Sequence, residues 1–363
     1  MNLREKPFIS CPASYLGVIA VLVFALAHSA RSGAEVSPWG RLITSAAIVS
    51  NPVTHKIYAV NEGAGSVTVI AAATGAMHLV AVGKEPVAIA VNCVTNRIYV
   101  ANDGSGSVSV IDGKTDAVIA TLSIAKLPYT LAVDEKTNKV YVTHTYSGTV
   151  TAIDGATNAV KSLKIGDADG IVVDSTNGKV FLSTYEDPEI RILDEATDTV
   201  SKVSVGAHIW GMVFDDSSST LYLAHTATND VVALDEASHA MRTISTGRIP
   251  CALALDSKRQ RLYAVNYDDD TLSVIDLGSH SVKATLQVGR QPEGIALDSK
   301  TGRVYVANVH GDNLTIIDGV KDVVIGMRGA GLHPYGVAVD AGTGAVYAAN
   351  YGAPWVTGVV SGN

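Results

Sequence analysis

The amino-acid sequence predicts an all-β protein, a β-propeller built from four-stranded antiparallel blades. Three observations support this fold class. An aromatic residue recurs about every 41 positions, short β-branched segments alternate with turns inside each period, and no repeat has apolar residues at helical spacing. Four short strands in each repeat of about 40 residues are typical of propeller blades.

The recurring aromatic residue marks eight repeats, separated by 40 to 42 positions. An Asp that ends a β-branched run keeps the same spacing in six repeats, as does a Gly, which is followed three residues later by Pro in four of them. Three residue types in one register are not expected by chance, so we interpret the repeat as structural. The marker residues are Tyr58, Tyr99, Tyr141, Phe181, Tyr222, Tyr263, Tyr305 and Tyr347.

Each repeat resolves into four strands. In the second repeat we predict strands at 87–92, 97–101, 107–111 and 117–124, each bounded by Gly, Asn, Asp or Pro. These strands are rich in Val, Ile and Ala, as expected for a blade that is buried between two neighbours on both faces. The same burial explains why only 17% of the residues are charged.

The number of repeats favours eight blades, with seven blades and one irregular repeat as the alternative. The last repeat contains only three strand-like segments, whereas residues 36–44 precede the first repeat. We expect residues 36–44 to form a strand that completes the last blade. Such pairing would close the ring and remove an exposed sheet edge.

The N-terminus resembles a secretory signal peptide at residues 1–34. Basic residues precede an apolar run at 16–27, which is shorter than the roughly 20 residues of a membrane-spanning helix. We expect cleavage after Ala34, with cleavage after Ser29 or an uncleaved anchor as alternatives. Residues 35–363 would then be a single propeller domain, periplasmic or secreted and without a transmembrane segment.

The composition excludes some classes of function. Hydrophobic residues make up 47% of the chain, which excludes disorder. The formal net charge of −8 disfavours a nucleic-acid partner, because phosphate binding depends on Lys and Arg. Three cysteines are too few for a disulfide framework. We expect Cys93 and Cys251 to be free, small, buried residues.

Several repeats share a motif. Residues 99–102 and 305–308 read YVAN and residues 141–144 read YVTH, each followed by a turn and an apolar run that ends in Asp. This motif resembles the YVTN-type β-propeller repeat, a family found in secreted, periplasmic and surface-layer proteins. The resemblance implies the propeller fold, but relatives include binding scaffolds, quinoprotein-associated subunits, lactonase-like proteins and haem d1-type propellers. Residues 181–184 (FLST) and Ala71, where other repeats have Asp, depart from the motif.

Residues shared by most blades are expected to have a structural role. The recurrent Asp can accept backbone N–H bonds in the turn that follows it. The recurrent Tyr is expected in the core, with its hydroxyl bonded nearby. An Asn follows the second strand in five blades, and we attribute it to turn formation, because Asn tolerates the left-handed conformation.

Function is expected where the repeat breaks. At the Asn position, three blades instead have His144, Thr184 and His225. At the corner before the first strand, Pro is replaced by Asp169 in blade 4 and by Ile209 in blade 5. Both positions are predicted on one face, around the mouth of the central channel.

Antiparallel pairing should bring His208 and His225 together, with Trp210 close by. With His144 and Asp169 they could bind a transition metal, since imidazole and carboxylate suit Zn, Cu or Fe. The alternative is a polar channel mouth with hydrogen-bonded histidines. No motif with fixed metal-ligand spacing supports the metal site.

The same face collects aromatic residues, although these make up only 6% of the chain. We interpret them as a recognition surface, with ordinary loop packing as the alternative. An acidic run at 268–270 lacks the remaining features of an EF-hand loop, so a solvated turn is favoured over a calcium site. The aromatic residues are Tyr129, Tyr146, Tyr185, Trp210, Tyr267, Tyr335, Tyr351 and Trp355.

These observations lead to one main functional hypothesis and one alternative. The main hypothesis is a monomeric, non-enzymatic scaffold without a cofactor, which binds a protein, peptide or extracellular polymer through one loop face. The alternative is an enzyme or redox partner that uses a transition metal or a haem d1-like group at the channel mouth.

Overall fold

The computed structural model describes residues 47–351 and 355–360. The predicted signal peptide at 1–34 and the closing strand at 36–44 lie outside the described residues. The described chain consists of β-strands joined by turns, with two short 3₁₀ turns at Glu62–Ala64 and Ser257–Arg259. In these ranges no helix is long and apolar enough to cross a membrane.

The strands form eight antiparallel sheets that follow one another along the chain, so the predicted eight-bladed propeller is confirmed. Blades 1 to 4 consist of β1 (Ile48–Asn51), β2 (Lys56–Asn61), β3 (Ser66–Ala71), β4 (Met77–Ala81); β5 (Pro86–Asn92), β6 (Arg97–Asn102), β7 (Ser107–Asp112), β8 (Val118–Ser123); β9 (Pro128–Asp134), β10 (Lys139–His144), β11 (Thr149–Asp154), β12 (Val160–Lys164); and β13 (Gly170–Asp174), β14 (Lys179–Ser183), β15 (Glu189–Asp194), β16 (Val200–Ser204).

Blades 5 to 8 consist of β17 (Ile209–Asp215), β18 (Thr220–His225), β19 (Asp230–Asp235), β20 (Met241–Ser245); β21 (Pro250–Asp256), β22 (Arg261–Asn266), β23 (Thr271–Asp276), β24 (Ser281–Gln287); β25 (Pro292–Asp298), β26 (Arg303–Asn308), β27 (Asn313–Asp318), β28 (Val323–Gly329); and β29 (Pro334–Asp340), β30 (Ala345–Asn350), β31 (Val356–Val360). Seven blades have four described strands, and blade 8 has three.

The ring is closed between blades 8 and 1. The first strand of each blade contacts the first strand of the next blade, and β29 contacts β1 in the same way. These first strands therefore surround the central channel. His55 reinforces the closure, because its Nδ1 lies 3.1 Å from Oδ1 of Asp340.

The hydrophobic core lies between neighbouring blades. Tyr99 and Val108 of blade 2, for example, belong to one buried cluster with Leu131 and Val140 of blade 3. Because both faces of a blade are covered in this way, the strands carry few charges and read as nearly continuous apolar runs.

We call the end of the blades that carries the turns between strands 1 and 2 and between strands 3 and 4 the lower end. Recurrent tyrosines connect successive blades there. The Tyr58 hydroxyl donates to Oδ1 of Asp116 in blade 2 at 2.8 Å, and the Tyr263 hydroxyl donates to the Gly319 carbonyl of blade 7 at 3.2 Å. Gly319 leaves room for this approach, since a Cβ there would lie 2.4 Å from that hydroxyl.

The recurrent Asp also belongs to the lower end. Oδ1 of Asp112 accepts the backbone N–H groups of Lys114 and Thr115 at 3.0 and 2.9 Å. These bonds hold the pKa of the Asp112 carboxyl below its usual range, although the carboxyl faces solvent. Asp154 makes the same bonds to residues 156 and 157. The repeated carboxylate is therefore a turn former, as the sequence suggested.

Candidate ligand site at the channel mouth

The opposite end of the blades, which we call the upper end, carries the turns between strands 2 and 3 and the connections between blades. The first strand of a blade begins there beside the end of the second strand. Pro86 pairs with Asn102, and Pro334 pairs with Asn350. In blade 5 the equivalent pair is Ile209 and His225.

The recurrent asparagines at this end bridge strands, so attributing them to turn formation was wrong. None of the five has a positive φ, and all are buried. The Asn102 amide donates to the hydroxyl of Ser109 at 3.1 Å, and the Asn308 amide donates to that of Thr315 at 2.9 Å. The five residues are Asn61, Asn102, Asn266, Asn308 and Asn350.

His144 and His225 occupy the same buried position and make related contacts. Nε2 of His144 lies 2.7 Å from the Thr151 hydroxyl, seven residues later, where the asparagines also bond. Nδ1 of His225 lies 3.0 Å from Oδ1 of Asp230. Burial holds the pKa of His144 below its usual value. Both imidazoles therefore connect strands 2 and 3 inside their blades.

His208 belongs to a second recurrent feature, the left-handed residue at the corner before the first strand. Its φ is 65°, and its carbonyl accepts the Thr226 N–H at 3.0 Å. Five other blades have the same left-handed residue and the same bond from the residue after strand 2. These corner residues are Glu85, Leu127, Ile249, Gln291 and His333.

Blade 4 lacks the left-handed corner residue, and Asp169 compensates for it. Oδ2 of Asp169 accepts the Tyr185 N–H at 3.1 Å, the bond that a corner carbonyl accepts in the other blades. The strand register places Ala168, not Asp169, at the position of the corner Pro. Burial raises the pKa of the Asp169 carboxyl.

The residues considered for a metal site do not gather around one point. His208 and His225 are neighbours through their backbones, but His208 packs edge-on against Tyr185, with ring centroids 4.9 Å apart. His144 and Asp169 bond within blades 3 and 4. Across residues 47–351 and 355–360, no group of three or more His, Cys, Asp or Glu side chains is arranged to hold a metal ion.

Individual differences between the blades concentrate in two sets of residues around the channel mouth. The first set, the inner layer, contains from each of blades 2 to 8 the residue that follows the corner Pro or its equivalent. In blades 2, 3, 5, 6, 7 and 8 the register shifts there, a β-bulge that re-aims a side chain. The inner layer consists of Val87, Tyr129, Asp169, Trp210, Cys251, Glu293 and Tyr335.

The second set, the outer layer, is the residue that follows strand 2 and its terminal Asn, His or Thr. In blades 2, 3 and 5 to 8 its backbone N–H makes the corner bond described above, and in blade 4 it bonds to Asp169, so the fold fixes its place in these blades. The two layers together contain four acidic residues and, at their described positions, neither Lys nor Arg. The outer layer consists of Glu62, Asp103, Thr145, Tyr185, Thr226, Tyr267, Val309 and Tyr351.

Blades 7 and 8 contribute the centre of the candidate site. The rings of Tyr335 and Tyr351 stack, with centroids 4.1 Å apart. The Tyr351 hydroxyl donates a long hydrogen bond of 3.5 Å to Oε1 of Glu293. Burial raises the pKa of the Glu293 carboxyl to about 8. This carboxyl is therefore largely protonated at neutral pH, and burial makes its charged form costly.

The site extends across the channel mouth. The pKa of Tyr351 is raised mainly by the protein around its hydroxyl and further by Glu293, Tyr129 of blade 3 and Glu62 of blade 1. The Tyr351 residue is nevertheless 41% exposed, so solvent reaches its ring. We call Glu62, Tyr129, Glu293, Tyr335 and Tyr351 the mouth cluster.

Blade 6 forms the flank of this cluster. Trp210 and Tyr267 pack on a buried group that includes Cys251. Burial, and secondarily Glu293, raises the pKa of Tyr267 to about 12. The Cys251 thiol is buried and its pKa is raised well above the usual value. Cys93 and Cys251 are both free, as expected, but Cys93 is only half-buried, so the expectation that it is buried was wrong.

The eight aromatic residues selected from the sequence are not equivalent. Six belong to the two layers, and Tyr185 among these also approaches the Thr226 hydroxyl at 3.3 Å. Tyr146 and Trp355 lie outside the layers, on the upper end, and are 63% and 39% exposed. Within the layers Tyr335 is buried, Tyr129, Tyr185, Trp210 and Tyr267 are half-buried, and Tyr351 is exposed.

The acidic run at 268–270 is tied to neighbouring loops. Arg248 contacts Oδ2 of Asp268 at 2.9 Å and Oδ1 of Asp269 at 2.6 Å, while Asp270 accepts the Gln291 N–H at 2.7 Å. This pairing accords with the interpretation of an ordinary acidic turn.

Sequence reasoning missed Glu293 and Glu62. Variation after the corner Pro could have identified Glu293. Five blades have this Pro, at the start of β5, β9, β21, β25 and β29. The residue after it is, in that order, Val, Tyr, Cys, Glu and Tyr. A position that varies between nearly constant neighbours departs from the repeat, and such departures are where function was expected.

These features define the chain as an eight-bladed β-propeller with an acidic, aromatic channel mouth. Comparison with known proteins supports the fold. The chain is similar to dihydro-heme d1 dehydrogenase NirN in complex with DHE, with a TM-score of 0.70 and 13% identity over 86% of this chain and 75% of that one. It is also similar to Kuenenia stuttgartiensis hydrazine synthase, with a TM-score of 0.59 and 18% identity over 91% of this chain and 98% of that one.

No protein-family profile and no curated protein matches the chain. The resemblance to YVTN-type repeats therefore rests on the sequence motifs alone. At 13% and 18% identity, the two structural similarities concern the fold and not the activity.

Proposed function

We propose that this protein is a non-enzymatic binding scaffold that acts in the periplasm or outside the cell. Its partner is a protein, peptide or extracellular polymer, held by a projecting group that enters the channel mouth. The observation that carries this proposal is the mouth cluster, in which stacked Tyr335 and Tyr351 adjoin the Glu293 carboxyl.

A rigid ring with one individual face suits such a role. Loops on a fixed scaffold commonly acquire binding functions. Tyrosines provide large contact areas together with a polar group, and they are frequent at binding hot spots. The exposed rings of Tyr146 and Trp355 would contact parts of the partner that remain outside the mouth.

The contacts of the histidines favour a scaffold over a metal or haem d1-like centre. Both ring nitrogens of His144 make hydrogen bonds, Nδ1 with the Lys126 carbonyl and Nε2 with the Thr151 hydroxyl, so recruiting His144 as a ligand would break one of them. NirN, whose structure has a similar fold, is described in complex with DHE. The absorption spectrum and metal content of the natively purified protein distinguish the two: a stoichiometric chromophore or metal would favour the alternative.

Site-specific photo-crosslinking in the producing cells tests the proposal. A benzophenone side chain replaces Tyr146 on the upper end or, as the control, Val53, which is 53% exposed at the lower end. We expect a discrete adduct from position 146 only, lost when Tyr351→Ala is added. Adducts that form equally at both positions, or that persist without Tyr351, would contradict binding at the mouth.

A further inference from the structure

The two layers carry acidic side chains, whereas basic residues of the upper end, such as Arg248 and Arg290, lie on the connections between blades. The two layers contain Glu62, Asp103, Asp169 and Glu293, and their described positions include neither Lys nor Arg. Two carboxylates elsewhere serve for comparison with Glu293: Asp116 lies 2.7 Å from Lys56, and Asp256 lies 2.8 Å from Arg259.

The carboxyl of Glu293 has no described basic partner. The one described hydrogen bond of its carboxyl comes from the neutral hydroxyl of Tyr351, at 3.5 Å. The other titratable groups that interact with it are Tyr335, Tyr267 and the Cys251 thiol. All of these are neutral at physiological pH, so nothing in this surrounding compensates a negative charge on Glu293. Glu293 is partly buried, and a carboxylate withdrawn from solvent usually has a cationic partner.

We propose that the mouth cluster recognises an organic ammonium group, such as an alkylated or quaternary amine on the ligand. Glu293 supplies the counter-charge, the rings of Tyr335 and Tyr351 supply cation–π contacts, and Glu62 adds negative potential from blade 1. This inference rests on the proposed function, because it assigns a ligand class to the same mouth.

A neutral ligand would give the acidic residues of the mouth cluster no role in binding. A sugar could stack on Tyr335 and Tyr351, but it gains nothing from the acidic residues around them. A compact ammonium group gains from both the rings and the carboxylates, and this combination is the known basis of aromatic cages for quaternary amines.

Proton release should accompany binding. Burial raises the pKa of Glu293 to about 8, so the empty site holds a proton at pH 7. A bound cation stabilises the ionised carboxylate and displaces that proton. Affinity should therefore rise by about tenfold for each pH unit between pH 6 and pH 8 and level off above pH 8.

Choline and its neutral isostere 3,3-dimethyl-1-butanol are suitable probes. Isothermal titration of the full chain at pH 6, 7 and 8 should show choline binding about tenfold more tightly than the isostere at pH 8. Glu293→Gln should remove this preference and the pH dependence. The matched control is Glu189→Gln, because Glu189 is a partly exposed carboxyl paired with Lys202 at 2.9 Å, outside both layers.

The outcomes separate this inference from the proposed function. Equal affinity for the two probes, no choline binding at millimolar concentration, or unchanged choline binding by Glu293→Gln would each overturn the ammonium assignment. If Tyr351→Ala still abolished crosslinking from position 146 in those cases, the mouth would remain the binding site for a neutral ligand. Loss of that crosslinking effect as well would overturn both. Thermal melting of each variant controls for folding.

Discussion

The lower and upper ends of the blades are built from the same repeat but differ in what varies. At the lower end, tyrosine hydroxyls and turn aspartates make recurring bonds, such as those of Tyr263 and Asp112. At the upper end, the backbone pattern also recurs, while the residues of the two layers differ from blade to blade. Repetition therefore identifies the scaffold, and binding capacity has to be sought at positions whose backbone is constant and whose side chain is not.

The comparison also shows that a break in a repeat is not by itself a functional sign. His144, His225 and Asp169 replace common residues, yet each restores a bond that the repeat requires. Glu293 and Tyr351 occupy positions that vary from blade to blade, and the hydrogen bond between their side chains is not a recurrent one. That distinction becomes visible only once hydrogen-bond partners are known.

The largest expected effect separates two tyrosines at opposite ends. Tyr263→Ala removes a fully buried ring between blades 6 and 7 and should cost about 3–5 kcal/mol of unfolding free energy. Tyr351→Ala, at a residue that is 41% exposed, should cost about 1 kcal/mol or less while abolishing binding. Urea unfolding measures both, and equal losses would contradict the division between scaffold and site.

The next effect concerns the dependence of stability on pH. Glu293 has a pKa of about 8 in the folded chain, whereas an unfolded Glu has a pKa near 4.3. Between these values the folded state holds a proton that the unfolded state has released, so stability falls as pH rises. The slope is at most about 1.4 kcal/mol per pH unit, since solvent partly screens the site.

Glu293→Gln should remove this slope. The variant should match the wild type in melting temperature near pH 4 and exceed it increasingly towards pH 8, while Glu189→Gln should follow the wild type throughout. Parallel curves for wild type and Glu293→Gln would mean that burial does not perturb this carboxyl. A gain in stability from losing a binding residue is expected where a site is kept at a cost to the fold.

Much of the fold could be predicted from the sequence because every blade packs between two neighbouring blades in the same way. The recurrent Tyr, Asp and corner Pro each occupy equivalent positions in most blades, so their spacing indicates strands, turns and blade number. The role of the asparagines was harder to predict, because a buried amide that bridges strands 2 and 3 and a turn-forming amide leave the same trace in a sequence.

The candidate site was only partly predictable for a related reason. The side chain of Glu293 follows a β-bulge, and period-two alternation does not reveal where a bulge occurs. Its contact with Tyr351 joins blades 7 and 8 across 58 positions of the chain. Most of the aromatic residues could be assigned to the correct face, but the carboxyl between them depended on the strand register.

A smaller effect tests whether His144 is a structural substitute for Asn. His144→Asn should cost about 1 kcal/mol or less, because the amide can reach the Thr151 hydroxyl as in other blades. His144→Ala should cost about 2–3 kcal/mol, since it leaves a cavity and the Thr151 hydroxyl without this partner. Urea unfolding compares the two variants, and equal costs would count against the bridging role.

The smallest effect is expected at Asp169. Asp169→Asn keeps an oxygen that can accept the Tyr185 N–H, so its stability should change by about 0.5 kcal/mol or less. Asp169→Ala loses that acceptor and should cost about 1–2 kcal/mol. Hydrogen exchange gives a local measurement: the Tyr185 amide should stay protected in Asp169→Asn and exchange faster in Asp169→Ala. If exchange at Tyr185 were the same in both variants, the carboxylate would not be replacing the missing corner carbonyl, and Asp169 would again be a candidate for a role in binding.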